Sequence, residues 1–512
     1  MKMRTRQDSA IEFGDFQTPK KLATRVVSVL KGRGVSPASI VEPTCGCGTF
    51  IEATLQAFPN VQNVVGLEIN QEYFREATDR LARLRHVATV DMRLADFFRY
   101  DWKTVFRDLS EPILVIGNPP WVTTSQLGRL KGSNAPKRSN FQNHRGLDAI
   151  TGKGNFDIAE WMVIHLMKWL TERHGTISML LKRSVARKVL LHAWKENLPI
   201  ADADSYCFDA KKDFGVSVDA CLLVCDFGPG TSTKSCKVHS LEDPARVDHS
   251  IGYLREMLLS DIAGFLRHED LLSEPGAPTA YTWRSGVKHD CARVMEFTHT
   301  EGSLQNGLGE SVEIEQAHVY PMLKGSGIAN GPAAKADRYM LVTQSTTGES
   351  TYHIKHTAPR TWAYLQKHKN LLDSRRSSIY RRRPPFSVFG VGEYTFAPWK
   401  VAICGLYKRL RFRVVGPRGG RPVVFDDTVY FVPCNSHREA ELIQECLHSP
   451  PGQEFLGSFI FWDGKRPITA EVLNRLQLSV LASELGYLGE LQELRPKLNW
   501  NACHSSGIAS LF

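Results

Sequence analysis

The chain has no stretch of the ~18–20 uninterrupted apolar residues that a membrane span needs. Its first ten residues are charged and hold no apolar core of the kind that marks a secretory leader. Both point to the cytoplasm, with no membrane partner. Cysteine is neither abundant nor patterned. The eleven cysteines are odd in number and scattered, and no two Cys-x-x-Cys clusters pair up. That pattern excludes a disulfide framework and a zinc ribbon. Cys45-Gly46-Cys47 is too tight for the usual zinc spacing and reads as a turn, so no metal is expected. The full G-x-G-x-x-G of a dinucleotide fold is missing, and no internal repeat is present.

What is abundant is positive charge, and it is unevenly placed. The net charge is +10 over 512 residues. Between Arg360 and Arg421 fifteen Lys or Arg face only two acids, Asp373 and Glu393. Aromatic residues interleave with them, among them Tyr380, Phe386, Phe389, Tyr394, Trp399 and Tyr407. Basic residues concentrated this way match a phosphate backbone.

The first ~230 residues alternate short apolar runs with helical spacing, the signature of a mostly parallel sheet covered by helices, an α/β fold. Strands are expected at Ser39–Glu42, Asn63–Glu68, Val87–Leu94, Ile113–Gly117, Gly175–Leu181, Ser205–Phe208 and Val216–Phe227, the last two pairing as an edge hairpin. Helices are expected over Pro19–Leu30 (N-capped by Thr18), Gln71–Arg85 and Asp157–Leu170, and Asp248–His268 also reads as helical. Residues 128–155 are rich in Gly, Ser, Asn, Lys and Arg and read as a long loop, a candidate flap. A Gly/Ser/Thr-rich stretch at Gly228–Ser235 places a boundary between domains 1–235 and 236–512.

Chemistry concentrates at strand ends. After the apolar run Ile113–Gly117 comes Asn118-Pro119-Pro120-Trp121. A planar amine is a poor nucleophile because its lone pair is delocalised. The Asn118 amide oxygen and the Pro119 carbonyl could accept both of its N–H bonds and aim that lone pair at an electrophile. The two prolines stiffen the turn and remove N–H donors, and Trp121 offers a stacking face. Upstream, Glu42-Pro43-Thr44-Cys45-Gly46-Cys47-Gly48 follows the first strand, its glycines permitting a tight turn and close approach of a ligand. Glu68 ends the second strand, 26 positions beyond Glu42, where nucleotide-binding units place a ribose-holding carboxylate. Asp96-Phe97 ends the third and could meet an adenine amine and ring.

In order and wording these segments resemble the gamma-class amino DNA methyltransferases, N6-adenine enzymes of bacterial restriction–modification systems. Phe13–Pro19 is similar to their motif X, Glu42–Phe50 to motif I, Glu68 to motif II and Asp96-Phe97 to motif III. Asn118–Trp121 is similar to motif IV, Gly154–Asp157 to motif V, Gly175–Lys182 to motif VI and Phe214–Ala220 to motif VIII. The likeness covers residues 11–230. It implies a Rossmann-like methyltransferase sheet using S-adenosylmethionine, followed by a C-terminal α+β target-recognition domain. Phe16, Thr18, Glu42, Thr44, Gly46, Gly48, Glu68, Ile69, Asp96, Phe97 and Asn118 would bind the cofactor. Asn118, Pro119, Pro120 and Trp121 would be catalytic, with Trp121 and Phe214 sandwiching a flipped adenine. Trp stands where the family more often has Tyr, and motif V is loosely matched.

The expected substrate is double-stranded DNA, and the chain would act as a monomer beside a separate restriction endonuclease. Arg381, Arg382, Arg383, Lys400, Lys408 and Arg409 are the expected DNA contacts. The same Asn-Pro-Pro-aromatic signature also serves RNA-base and protein-glutamine methylation. A combined restriction–methylation enzyme would need a nuclease core, and no Asp…Glu-x-Lys pattern supplies one.

Overall fold

The computed structural model describes residues 16–122, 157–228, 232–273, 281–300, 302–330 and 338–496. The expected loop 128–155, residues 13–15 of the first motif and residues 154–156 of the fifth lie outside these. The chain divides into two compact units, Met1–Ile262 and Ala263–Phe512.

The first unit is built on one sheet. Its strands in chain order are β1 (Ser39–Glu42), β2 (Asn63–Glu68), β3 (Thr89–Leu94), β4 (Ile113–Gly117), β5 (Gly175–Lys182), β6 (Ile200–Asp209), β7 (Asp219–Phe227), β8 (Ser235–Ser240), β9 (Val247–Leu254) and β10 (Met257–Leu259). They lie in the order β10-β9-β8-β6-β7-β5-β4-β1-β2-β3. The strands from β1 to β5 pair in parallel, while β7 runs antiparallel to both β5 and β6. The helices are α1 (Lys20–Gly32), α2 (Thr49–Ala57), α3 (Gln71–Leu81), α4 (Trp102–Asp108), α5 (Ile158–Trp169), α6 (Arg183–Lys195) and the short α7 (Ala210–Phe214).

Every residue of β1 and β4 is buried. A strand covered on both faces favours apolar residues, which is why β4 reads Ile-Leu-Val-Ile-Gly and β1 carries Ile40 and Val41 between Ser39 and Glu42. Each such apolar side chain contributes about 1.5–3 kcal/mol of transfer free energy. The chain moves outward from β1 through β2 to β3, then returns to add β4 on the other side of β1. The carboxyl ends of β1 and β4 therefore flank the switch point, where open α/β sheets bind ligands. Local chemistry fixes the helix starts. The Asn70 side chain accepts from the N–H groups of Glu72 and Tyr73 at the head of α3, and Asp157 accepts from Ala159 N–H at the head of α5. Caps of this type contribute roughly 1 kcal/mol each.

Four expectations are corrected. Residues 248–259 are not helical: they form the β9–β10 hairpin, turned by Arg255 and Glu256 at φ 48° and 63°. A two-residue turn with both φ positive matches the twist of a hairpin, and here no glycine announces it. Because β8, β9 and β10 join the same sheet, the first unit runs to Ile262 rather than 235. For the same reason the antiparallel β6–β7 pair is interior, not an edge. Finally, α1 begins at Lys20, and its cap position is Pro19 rather than Thr18.

The second unit is α+β. A six-stranded sheet contains β12 (Glu296–Thr300), β13 (Ser303–Asn306), β14 (Ser311–Val312), β15 (Val319–Leu323), β16 (Arg338–Leu341) and β19 (Val424–Phe425). A four-stranded sheet contains β11 (Arg284–Ser285), β17 (Trp399–Cys404), β18 (Arg413–Val415) and β20 (Val429–Cys434). The larger core joins Phe297, Met340, Leu365 and Phe386, and a smaller one joins Ala402, Phe425 and Phe431. Among the described residues no helix is long and apolar enough to cross a membrane.

Candidate functional site

The β1–α2 turn is the first wall of the site. Gly46 and Gly48 adopt φ of +51° and +75°, a region that side chains rarely enter. Glu68, at the end of β2, reaches back across this turn. Its carboxylate accepts from Gly46 N–H at 2.7 Å, Ile69 N–H at 2.9 Å and Asn70 N–H at 2.7 Å. The acid expected to hold a ribose thus braces the glycine turn itself. Gln17 Oε1 accepts from Cys47 N–H at 3.0 Å and lies where a Cβ on Gly46 would fall. Thr18, half-buried, belongs to the same segment.

Glu42 is buried and accepts one bond from Ile51 N–H in the first turn of α2. Burial pushes its carboxyl well above the usual range, and the neighbouring Glu68 charge pushes the same way against that hydrogen bond. An acid whose charged form is disfavoured by burial gains from pairing with a cation, such as the ammonium group of a methionine moiety. Ile69 stands 46% exposed at the end of β2 and Leu94 48% exposed at the end of β3, leaving apolar surface for a ring. Asp96 accepts from Phe98 N–H at 3.0 Å. The acids, the glycine turn and this surface fit an S-adenosylmethionine-sized nucleoside.

Phe97 departs from expectation. Its ring is 5% exposed and sits in a cluster with Trp102 at 5.2 Å, Phe98 at 5.6 Å, Trp169 at 6.1 Å and Trp161 at 6.3 Å between centroids. It packs the core beneath α4 and α5 and offers no face to a ligand. Phe98, half-buried, is the outer ring of that cluster.

The second wall is the turn after β4. A Cβ on Gly117 would lie 3.6 Å from Pro43 Cδ and 3.9 Å from Glu42 Cγ, so the ends of β1 and β4 touch. Thr44 Oγ1 approaches the Asn118 carbonyl at 3.5 Å. Asn118 Nδ2 donates to the Phe16 carbonyl at 2.8 Å, while Asn118 Oδ1 is buried with no hydrogen-bond partner among the described residues. The first fact fixes the second, because an amide whose N–H₂ is committed to a carbonyl must turn its oxygen the other way. An orphaned buried acceptor is costly, by about 1–3 kcal/mol. Pro119 is buried and Pro120 half-buried.

Trp121 and Phe214 do not form an open sandwich. Their ring centroids are 5.4 Å apart, edge to face, and Phe16 closes the group at 5.9 Å and 6.0 Å. A base between two rings needs roughly 7–8 Å, two contact layers. Trp121 is 5% exposed, and its indole N–H donates to the Leu180 carbonyl at 3.2 Å. The three rings are mutually packed and must part before a base enters. Sequence reading also missed Lys182, whose ammonium donates to the Trp121 carbonyl at 2.9 Å and to Asp157 at 2.7 Å. The only signal was a charge closing an apolar strand.

In the second unit Arg381, Arg382, Arg383, Lys408 and Arg409 are exposed. Lys400 is not: it is 1% exposed and donates to the carbonyls of Ala397 at 2.6 Å and Val423 at 2.9 Å. It lies 5.9 Å from the ring centroids of both Phe425 and Phe431. Buried inside the unit, Lys400 cannot touch a phosphate.

Residues 3–187 match the family described as N-6 DNA Methylase. The chain is 44% identical over 476 residues to the Type II methyltransferase M.NspV of Nostoc sp., covering 93% of this chain and 98% of the relative. The chain therefore belongs to this family of DNA methyltransferases, enzymes that take their methyl group from S-adenosylmethionine. Within it, the chain is similar to a type II methyltransferase over nearly its whole length. A Type II methyltransferase, M.CvrRI of Paramecium bursaria Chlorella virus, is 29% identical over 133 residues, 24% of this chain and 31% of that one. Among solved structures, the Type IIL restriction-modification enzyme MmeI in complex with DNA aligns over 96% of this chain and 77% of its own, at 14% identity and TM-score 0.46.

Proposed function

We propose that the chain methylates N6 of an adenine extruded from double-stranded DNA at a specific sequence. The observation that carries this reading is the orphaned Asn118 Oδ1, a buried acceptor fixed in direction by the Nδ2 bond to Phe16. With the Pro119 carbonyl, it would accept the two N–H bonds of the target amine and hold the nitrogen so that its lone pair points at the methyl donor. S-adenosylmethionine, when bound, supplies a methyl group on a positively charged sulfur. Glu42 would pair with the methionine ammonium and Asp96 with the adenine amine, while Ile69 would pack on the nucleoside and the braced Gly46–Gly48 turn would let it approach the main chain. The amine proton can leave to water after transfer, so no strong base is required of the chain.

Extruding a base costs a few kcal/mol, and one aromatic stack returns roughly 1–3 kcal/mol. Trp121 and Phe214 must also part from each other and from Phe16. Both stacks together with both hydrogen bonds are needed to offset these costs. Residues 263–512 serve as the target-recognition part, with Arg381, Arg382, Arg383, Lys408 and Arg409 neutralising phosphates. The enzyme works as a monomer in the cytoplasm and protects DNA from a companion restriction endonuclease, the role that a type II relative supports.

The test is incubation with radiolabelled methyl donor and unmethylated duplex DNA, followed by identification of the labelled base. The expected product is N6-methyladenine. The Asn118→Ala variant should bind cofactor normally and lose about 10²–10³-fold in transfer, the usual effect of removing one such polar group. Label on cytosine, on RNA alone or on protein would reject the reading, as would normal transfer by Asn118→Ala.

A further inference from the structure

Trp121 is gripped from β5 at two points. Leu180 and Lys182 lie two residues apart at the carboxyl end of β5. The Leu180 carbonyl receives the indole N–H at 3.2 Å, and the Lys182 ammonium donates to the Trp121 main-chain carbonyl at 2.9 Å. That ammonium is also paired at 2.7 Å with Asp157, whose side chain is 7% exposed against 23% for Lys182. Asp157 in turn caps α5 through Ala159 N–H at 3.2 Å, and Ile158 N–H donates to the Val122 carbonyl at 2.9 Å. The chain leaves this point at Val122 and returns to it at Asp157. One lysine therefore ties together the exit of the Asn118–Trp121 turn, the end of β5 and the head of α5.

We propose that Lys182 and Asp157 are positioning residues for methyl transfer, fixing the peptide after Pro120 so that the Asn118 amide oxygen and the Pro119 carbonyl keep their relative places. This rests on the assignment of Asn118–Trp121 as the target-amine site. Nothing other than main chain separates the Trp121 carbonyl from Pro119, and proline fixes one of the two soft dihedrals at each of positions 119 and 120. A carbonyl held by a paired ammonium constrains much of what remains. The paired, largely enclosed ammonium is also a stronger donor than a neutral group would be. Removing Asp157 would leave the lysine free to swing into solvent, and removing Lys182 would leave both the Trp121 carbonyl and a buried carboxylate without their cation. Burial already raises the Asp157 carboxyl, against the pull of Lys182.

The variants are Lys182→Met, Lys182→Arg and Asp157→Asn, with Asn118→Ala as control. Lys182→Met should lower kcat by about 10- to 100-fold, the scale of a 1 Å misplacement. Its KM for DNA and its cofactor affinity should stay within about twofold, because an interaction that counts only in the transition state lowers kcat without raising KM. Duplex carrying 2-aminopurine at the target position should still brighten, since extrusion does not need the clamp. Lys182→Arg, which keeps the charge and the reach, should recover most of the rate. Asp157→Asn should be slow, and the double variant no slower than Lys182→Met, because the pair acts as a unit. Unchanged kcat in Lys182→Met, beside an inactive Asn118→Ala, would overturn the clamp and leave the site reading standing. Loss of rate, cofactor affinity and melting temperature in step, with no rescue by arginine, would reduce the pair to ordinary stabilisation and overturn it equally. Normal transfer by Asn118→Ala would instead remove the site reading on which the clamp depends.

Discussion

Lys400→Met should flatten one part of the protein's pH dependence by a calculable amount. In β17 the Lys400 ammonium is enclosed, and burial lowers its pKa from 10.5 to about 7, with the nearby Cys434 pulling slightly the other way. The folded chain therefore gives up this proton more easily than the unfolded chain. Between pH 7 and 10.5 the unfolded state binds more protons, so this group makes stability rise with pH across that window. A fall from 10.5 to about 7 corresponds to about 5 kcal/mol, of which about 2 kcal/mol is regained between pH 7 and 9. Lys400 is too deeply enclosed for solvent to screen the effect. Buried thiols away from Lys400, such as Cys221 and Cys225, are held protonated by burial and act in the opposite sense above pH 8. They are common to both proteins and cancel in the difference. Methionine nearly preserves the volume, so packing against Phe425 and Phe431 survives. Urea unfolding of wild type and Lys400→Met at pH 7, 8 and 9 gives the difference in stability. It should shift by about 2 kcal/mol in favour of the wild type from pH 7 to 9. A constant difference would mean that Lys400 stays fully charged in the fold, and the argument from burial would be wrong.

Replacing Arg381, Arg382 and Arg383 together by alanine should weaken binding to all DNA sequences alike. The slope of log K against log salt should become shallower by about 0.9 for each phosphate no longer neutralised; an unchanged slope would remove these residues from the interface. Glu42→Gln should raise stability at pH 7. Burial disfavours the charged form of the wild-type acid, which ionises more readily on unfolding, so its contribution falls as pH rises above the ordinary 4.5 and the gap should close near pH 4. The same variant should weaken cofactor binding by about tenfold through loss of a charge partner, measured by calorimetry. Arg33→Met should destabilise the first unit by about 3–5 kcal/mol in denaturant, because this guanidinium pairs with Asp204, Asp226 and Asp202. Without it the buried Asp204 would face only the imidazole of His239, whose own pKa burial lowers.

The sheet was legible where burial on both faces favours short apolar runs. The runs of β1 and β4, bounded by Pro, Gly and Asn, could be read to the residue, and with them the place of Glu42 and Asn118 at adjoining strand ends. Boundaries failed where the deciding energy is not local. The β9–β10 hairpin turns on Arg255 and Glu256, two residues with no preference for positive φ, so its apolar positions were read with helical spacing. Lys400 counted as a surface charge because a sequence shows the cation and not the two carbonyls that satisfy it. Phe97 looked like a ligand face for a related reason: the tryptophans that enclose it, Trp102, Trp161 and Trp169, come from two separate helices. The roles of Lys182 and of the Phe16 carbonyl depend on partners 61 and 102 positions away, which no spacing rule reaches.

The bond from Asn118 Nδ2 to the Phe16 carbonyl has an awkward consequence for anyone reading importance from variation. The acceptor is main chain, and all twenty amino acids carry it. Exchange of the phenylalanine could leave the amide's orientation untouched, so a mutational scan would score position 16 by its ring alone. Only severing or displacing the backbone there would unlock the amide rotor, and a preparation nicked just after that residue could keep its fold while losing the directionality of its most important oxygen.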